Sequence, residues 1–409
     1  MPLTVSIVIV SRHRPAALRR CLIAVSQLDY DPFEVVIIAD PASCTALRGV
    51  PQAAHAKLVA YDEANISAAR NLGINAAAGE VIAFIDDDSV PEPTWLKYLI
   101  APFVHVDTAA AGGFVRGRNG ISWQYQARSV DRAGQTAPVD LDKGQTTILV
   151  PTENRGIKTE GTNMAVRRSV LEELGGFDPR FRFYLDETDL NLRLAARGLC
   201  TALVPQAEVH HGFAASARRR GDRVPSDLFE IGASWAVFLA KHCAQEMRSP
   251  AWKRVQAEER KRALTHMVAG GLEPRDVRRL MQSLRDGYAQ GEIRQADSVT
   301  IVPVPAVPFQ PNPPKHDFRT VVLSGRAWFR ARLRRMARAE TAAGNVVTLI
   351  LLSHTAFFHR IAFTTGGYWE QSGGLFGKST RTQKLISLWS FRRRIQAESD
   401  RMRSARGLR

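Results

Sequence analysis

Four runs of aliphatic and β-branched residues, each closing on a polar or acidic group, constrain this chain more than any other feature. They are TVSIVIV at 4–10, FEVVIIAD at 33–40, AKLVAY at 56–61 and EVIAFID at 80–86. Between them lie stretches of helical periodicity. After Pro15, which is suited to a first helical position, Leu18, Leu22 and Val25 share one face, with Cys21 and Leu28 beside them. Residues 66–79, ISAARNLGINAAAG, read as a second helix. Strands alternating with helices predict βαβ units and a largely parallel sheet. Strands this continuously apolar predict cover on both faces. Ligands on such sheets bind at the carboxyl ends of the strands. Chain order therefore brings Ser11-Arg12-His13-Arg14, Asp40 and Asp86-Asp87-Asp88 toward one crevice.

Further along, 109–117 reads as a strand and 118–158 as a polar, irregular loop or insertion. Residues 161–178 lead from strand or turn into a short helix. Residues 186–197 form a helix stopped by Gly198, and 201–212 a strand ending in His210-His211. Three helix candidates follow, at 227–243, 250–269 and 274–288. IVPVPAVPFQPNPP, at 301–314, carries six prolines and reads as an extended linker. The expected division is an α/β domain over 1–245, a helical segment over 246–300, the linker, and a small basic α/β module over 315–409. That module should hold a strand at 319–324, a basic helix at 326–340, a strand at 345–352 and an arginine-rich helical end.

The formal net charge is +16. It fits an anionic partner (nucleic acid, acidic membrane or anionic substrate) or simply a solvated basic surface. The absence of zinc-finger spacing and of an RNA-recognition signature argues against nucleic acid. In the 326–340 helix, arginines alternate with Trp328, Phe329, Leu333 and Met336. These positions either rest on an anionic membrane or pack on neighbouring strands. Cys21, Cys44, Cys200 and Cys243 show no CxxC spacing, which favours a reducing compartment over a disulfide or zinc framework. The expected setting is cytoplasmic, the inner membrane face included. The first apolar run lacks a preceding basic region and reads as a strand, not a signal peptide. No run of ~18 uncharged apolar residues occurs, so no transmembrane helix is expected.

Asp86 and Asp88 are hard oxygen ligands suited to Mg²⁺ or Mn²⁺. At the end of a buried strand they can aim at a divalent ion that bridges a diphosphate. The plain alternative is a solvated acidic turn. Trp95, Phe177, Phe183 and Tyr184 are either core or the lining of an acceptor site. The glycine-rich stretch 373–378 lacks the spacing of a phosphate-binding loop.

The segments VSIVIVSRHRP, EVVIIADPAS, NISAARNLGINAAAGEVIAFIDDDSVP, GTNMAVRRSVLEELGGFD and DETDLNLRLAARG occur in that order. Over roughly residues 3–216 this resembles family-two glycosyltransferases with the GT-A fold. The resemblance implies an inverting transferase that uses a UDP-, GDP- or dTDP-sugar and divalent Mn²⁺ or Mg²⁺. Its acceptor would be a carbohydrate or lipid-linked hydroxyl, in polysaccharide or glycolipid synthesis. It places Ser11, Arg12, Arg14 and Asp40 at the nucleotide, with Asp40 as an acidic contact to the base. Asn65, Arg70 and Asn71 fall in the donor pocket, Asp86 and Asp87 at the sugar-nucleotide, and Asp86 and Asp88 at the metal. A histidine near the following strand end implies a third ligand, for which His210 is preferred to His211. Inversion requires a base. Where the family has Glu-Asp-x-Asp-Leu, this chain has Asp186-Glu187-Thr188-Asp189-Leu190, so Glu187 is the expected base and Asp186 the second candidate. Asp189 also suits a helix N-terminus. The turn Asp40-Pro41-Ala42-Ser43 departs from the family's usual Asn-Gly-Ser type. A nucleotidyltransferase is the competing enzyme class, but SIVIVSRHRPAAL has neither its glycine-rich loop nor its lysine.

Overall fold

The computed structural model describes residues 2–142, 144–212, 218–295, 301–303, 305, 307–313 and 319–408. The chain opens with β1 (Val5–Ser11), α1 (Pro15–Val25), β2 (Phe33–Ala39), α2 (Pro41–Ala46), β3 (Lys57–Ala60), α3 (Ile66–Ala76) and β4 (Val81–Asp86). β1 runs parallel to both β2 and β4, and β2 parallel to β3. Side-chain alternation along β1 then divides the core. Ile7 and Ile9 face the cluster built on α1, whereas Val8 faces the one that holds Ala69 and Ile74 of α3. Both faces are covered, as the unbroken apolar runs require.

The second half of the domain contains β5 (Ser89–Pro91), α4 (Trp95–Ile100), β6 (Thr108–Arg116), β7 (Trp123–Tyr125), β8 (Arg128–Asp131), β9 (Thr136–Pro138), β10 (Thr147–Leu149) and β11 (Arg155–Lys158). After these come β12 (Met164–Arg167), α5 (Arg168–Leu174), α6 (Asp186–Ala196) and β13 (Cys200–His211). β12 is inserted antiparallel between β4 and β6, and β13 lies parallel to β6. The sheet order is β10-β13-β6-β12-β4-β1-β2-β3. Residues 118–158 are more ordered than expected. β11-β8-β9 form a small antiparallel sheet around the fully buried Val130, from strands of three or four residues that are too short to show a period.

Three helices follow: α7 (Phe229–His242), α8 (Gln245–Val268) and α9 (Pro274–Glu292). Glycine lets α7 and α9 touch backbone to backbone. A Cβ on Gly232 would lie 2.0 Å from the Leu284 carbonyl oxygen. Their core is continuous with Val130, Phe181, Leu185 and Leu192, so the boundary expected at residue 245 falls inside one packed cluster. The described part of the proline-rich stretch has no helix or strand but is pinned to the N-terminal α/β domain. Ile301 is buried there, and the amides of Val302, Gln310 and Asn312 donate to Asn75, Glu34 and Phe33.

The C-terminal module consists of β14 (Thr320–Arg326), α10 (Arg330–Ala342), β15 (Val346–Ser353), β16 (Arg360–Phe363), β17 (Trp369–Gly374) and α11 (Phe391–Arg406). Its sheet order is β14-β15-β17-β16, with the first three strands parallel. α11 fastens it to the N-terminal α/β domain. Arg406 is fully buried and donates to both oxygens of Glu92, at 2.9 and 3.2 Å. The glycines at 373–378 serve packing: a Cβ on Gly374 or Gly377 would strike the carbonyl oxygens of Thr355 and Phe357. Among the described residues no helix is long and apolar enough to cross a membrane.

Candidate active site

A cleft of about 1070 Å³ opens at the carboxyl ends of β1 and β4. Its walls are the Ser11–Arg14 loop, the start of α3, β8, β11, residues 182–188 and His211. Asp86 ends β4, and Asp88 follows after one buried residue. Their carboxylates and His211 present ligand atoms within 4.8 Å of one another. His211 Nδ1 donates to Gln124 Oε1 at 3.1 Å, which turns Nε2 toward Asp88 Oδ1 at 3.2 Å. Two carboxylates and an imidazole so placed could hold a divalent cation.

The preference for His210 is corrected by the structure. His210 is on the other face of β13, where Nε2 bonds Glu92 at 2.8 Å and the ring packs on Trp369. Asp87 is likewise not a cleft residue. It is fully buried, accepts from Ser11 Oγ at 2.6 Å and pairs with Arg14 at 2.6 Å. Burial, only partly offset by Arg14, pushes its carboxyl up to about 7. Its role is to fix the loop that carries Ser11, Arg12 and Arg14, all three of which line the cleft.

Asp40 also acts from behind. It caps α2 through the amide and hydroxyl of Ser43, and it accepts from the His13 amide at 2.7 Å. Burial opposes its charge, but these hydrogen bonds win and lower the carboxyl to about 2. It is buried behind the loop and sets His13, which lines the cleft with Arg12, Tyr61 and Glu63. Arg12 pairs with Asp62 at 3.0 Å. Asn65 lines the cleft and caps α3 by accepting from the Ala68 amide. Asn71 is fully buried and clamps the backbone of Phe177 with both ends of its amide, so it does not line the cleft.

Arg70 crosses the floor of the cleft. It is 4% exposed, rests near the rings of Phe84 and Phe177, and pairs with Asp86 at 3.3 Å and with Asp186. One guanidinium thus links Asp86 to the acids of α6. Burial, together with the adjacent Glu187 charge, raises the Asp186 carboxyl despite Arg70. Glu187 faces the opposite balance. Burial would raise it, but Lys158 outweighs that and holds it low, through an Nζ–Oε1 contact of 2.9 Å. Lys158 also donates to Thr188 Oγ1 at 2.8 Å and stands 3.8 Å from Glu160. Asp189 is turned away from the cleft into Arg193, Lys241 and His242. Phe183 and Tyr184 line the cleft, whereas Trp95 and Phe177 are core.

Lys158, Glu160 and Gln124 escaped the sequence reading. Gln124 and Lys158 lie in the polar stretch 118–158 and Glu160 just beyond it, where no period marks one residue above another. Their importance comes only from what faces them.

Residues 2–221 match the family described as glycosyltransferase-like family 2, more than half of the chain, and the chain belongs to that family. The mainly parallel sheet with its acidic β4 end is the GT-A arrangement that such membership entails. The chain is 28% identical over 241 residues to the O-antigen biosynthesis protein RfbC of Myxococcus xanthus, which covers 54% of this chain and 18% of that protein. Two relatives come from Mycobacterium tuberculosis. An N-acetylglucosaminyl-diphospho-decaprenol L-rhamnosyltransferase is 35% identical over 102 residues, 25% of this chain and 32% of that one. A pre-mycofactocin glycosyltransferase is 26% identical over 247 residues, 58% of this chain and 48% of that one. The chain therefore spans less than half the length of each of these relatives. Among solved structures, a mannosyltransferase from Pyrobaculum calidifontis in complex with GDP-Man and Mn²⁺ aligns with a TM-score of 0.44 and 16% identity. That alignment covers 71% of this chain and 87% of the other.

Proposed function

We propose that this glycosyltransferase is inverting and cation-dependent, moving a sugar from a nucleoside-diphosphate sugar to an acceptor hydroxyl with Glu187 as base. The observation that carries the reading is the joining of two acid groups in one cleft. Asp86, Asp88 and His211 stand on one side, Glu187 and Asp186 on the other, and Arg70 ties the two together.

In this reading the nucleotide occupies the end lined by Arg12, His13, Tyr61 and Asn65, and the diphosphate lies toward Arg14 and Asp88. Asp86, Asp88 and His211 would hold the divalent cation, which would supply positive charge near the leaving diphosphate. Glu187, kept ionised by Lys158, accepts the proton of the attacking hydroxyl. A carboxylate held this low takes the proton late, once bonding to carbon has made the hydroxyl acidic. Asp186, pinned by Arg70, positions rather than reacts. Phe183 and Tyr184 offer ring faces on the acceptor side. A lipid-linked acceptor suits a chain whose rhamnosyltransferase relative is named for a diphospho-decaprenol substrate.

A thermal-shift screen of UDP-, GDP- and dTDP-sugars with Mn²⁺ or Mg²⁺ tests this. One donor class should raise Tm, and more so with the cation, because a ligand that binds only the folded state stabilises it. No shift with any of them would sink the reading, and release of pyrophosphate during turnover would assign a nucleotidyltransferase instead.

A further inference from the structure

The charge of this chain is not where the nucleotide cleft is. Residues 315–409 carry 19 Lys and Arg against five Asp and Glu, a net +14 out of the formal +16. The catalytic domain, helices and proline-rich stretch together contribute only +2. A nucleotide diphosphate leaves the module's charge unexplained.

The topology of the module adds a second, independent observation. β14, β15 and β17 are parallel, with Arg326 level with Leu352 and Ser353 level with Gly374. The segments leaving these three strands therefore emerge on one edge. Each ends in bulky apolar side chains open to solvent. After β14 come Trp328 and Phe329, 85% and 59% exposed. After β15 come Phe357 and Phe358, 71% and 63% exposed. After β17 come Leu385 and Leu388, 66% and 91% exposed, with Ile386 between them. The second and third segments are stitched together: the Gly374 amide donates to Phe357, the Ser387 amide donates to Phe376, and Gly377 bridges Ile386. Neighbouring strands are roughly 4.8 Å apart, so the three tips form one contiguous edge. A surface this apolar marks a binding face. Cations stand among the tips. Lys378 Nζ is 5.6 Å from the Phe358 ring, Arg330 adjoins Phe329 in the chain, and Lys384 adjoins Leu385.

We propose that this edge docks on an anionic lipid bilayer, with the apolar tips entering the headgroup boundary and the cations meeting lipid phosphates. Aromatic tips suit that boundary. Nucleic acid fits less well, because Leu385, Ile386 and Leu388 offer nothing to phosphate and no flat stacking platform. Of the apolar residues in the 326–340 stretch, Trp328 and Phe329 belong to this edge, whereas Leu333 packs on the module's own sheet. The position of the edge adds to the argument. Arg381 donates to Ser122 Oγ at 3.0 Å and the Ile361 amide to Asn119 at 2.9 Å. The edge is thereby fastened to the turn that leads into Gln124, the partner of His211. A bilayer on this edge would border the cleft rim. Its relevance to a lipid-linked acceptor rests on the proposed transferase reading, but the binding itself does not.

Sedimentation of the full chain with vesicles tests the proposal, using phosphatidylcholine alone and phosphatidylcholine mixed with phosphatidylglycerol. The wild type should pellet with the mixed vesicles and little with the neutral ones. Phe357→Ser/Phe358→Ser and Leu385→Ser/Leu388→Ser alter exposed side chains, so Tm should hold while binding weakens by about tenfold or more. Wild-type protein that stays in the supernatant with anionic vesicles would overturn the proposal. So would double variants that pellet like wild type, or tight duplex DNA or RNA binding that those variants leave unchanged. A failed transferase reading would appear in the donor thermal shift, not in the pellet.

Discussion

Glu187→Gln is the substitution that separates the two acids of α6. It removes the carboxylate but keeps the shape and an amide oxygen for Lys158. Lys158 also retains Thr188 Oγ1 at 2.8 Å and Glu160 at 3.8 Å, so the stability loss should stay near ~1–2 kcal/mol. Loss of a general base costs about 10²–10⁴ in rate, which is about 3–5 kcal/mol in barrier. The expected pattern is a collapse of kcat with donor affinity and Tm nearly unchanged. Asp186→Asn should behave differently. It keeps an amide oxygen for the buried Arg70 but removes the charged partner, with Asp86 at 3.3 Å and the Gly161 carbonyl at 3.2 Å remaining, so folding should lose about 1–3 kcal/mol and donor binding should suffer as well. The assay is nucleoside diphosphate release from the stabilising donor, with water or a sugar alcohol as acceptor, beside calorimetric donor titration. Glu187→Gln retaining kcat within about threefold, far from the 10²–10⁴ of a lost base, would refute the assignment.

Lys158→Met removes the cation that outweighs burial at Glu187. The wild-type acid stays ionised below the usual glutamate range. In the variant burial wins, so the acidic limb of the kcat–pH profile should move to higher pH, and a limb that does not move would contradict the pairing. His211→Ala should weaken Mn²⁺ binding by at least about 10–100-fold in a metal titration. His210→Ala should leave that affinity nearly intact and lower Tm instead, since it strips a buried partner from Glu92. Asp189 is buried against Arg193, Lys241 and His242, whose charges overcome desolvation and depress its pKa. Its contribution to stability is therefore present above the unfolded aspartate pKa of about 3.9 and is lost as pH falls below it. Asp189→Asn should cost about 3–5 kcal/mol at neutral pH by urea unfolding, with the gap to wild type closing in acid.

The sequence alone determined the parallel half of the fold and the place of Asp86 and Asp88. Buried strands announce themselves as unbroken apolar runs, and a carboxylate at such a run's end has little room to be elsewhere. It also singled out Glu187 and Arg70 as cleft residues, through ordered motifs. Asp40 and Asp87 were found as polar residues just past strand ends, and Asn71 as a polar residue within α3. Whether a polar group faces a ligand or braces its neighbour depends on rotamer and partner, and all three brace. The histidines show why only the tertiary structure could decide. β13 pairs Val204 with Gly113 but Glu208 with Phe114, which inserts three extra residues into one strand. An odd insertion exchanges the two faces, so strand alternation could say that His210 and His211 diverge but not which one meets Asp88. The same limit hid Lys158, whose pairing with Glu187 spans two elements. It hid the loop edge of the C-terminal module as well, whose apolar tips are scattered over some sixty residues until three parallel strands bring them to one side.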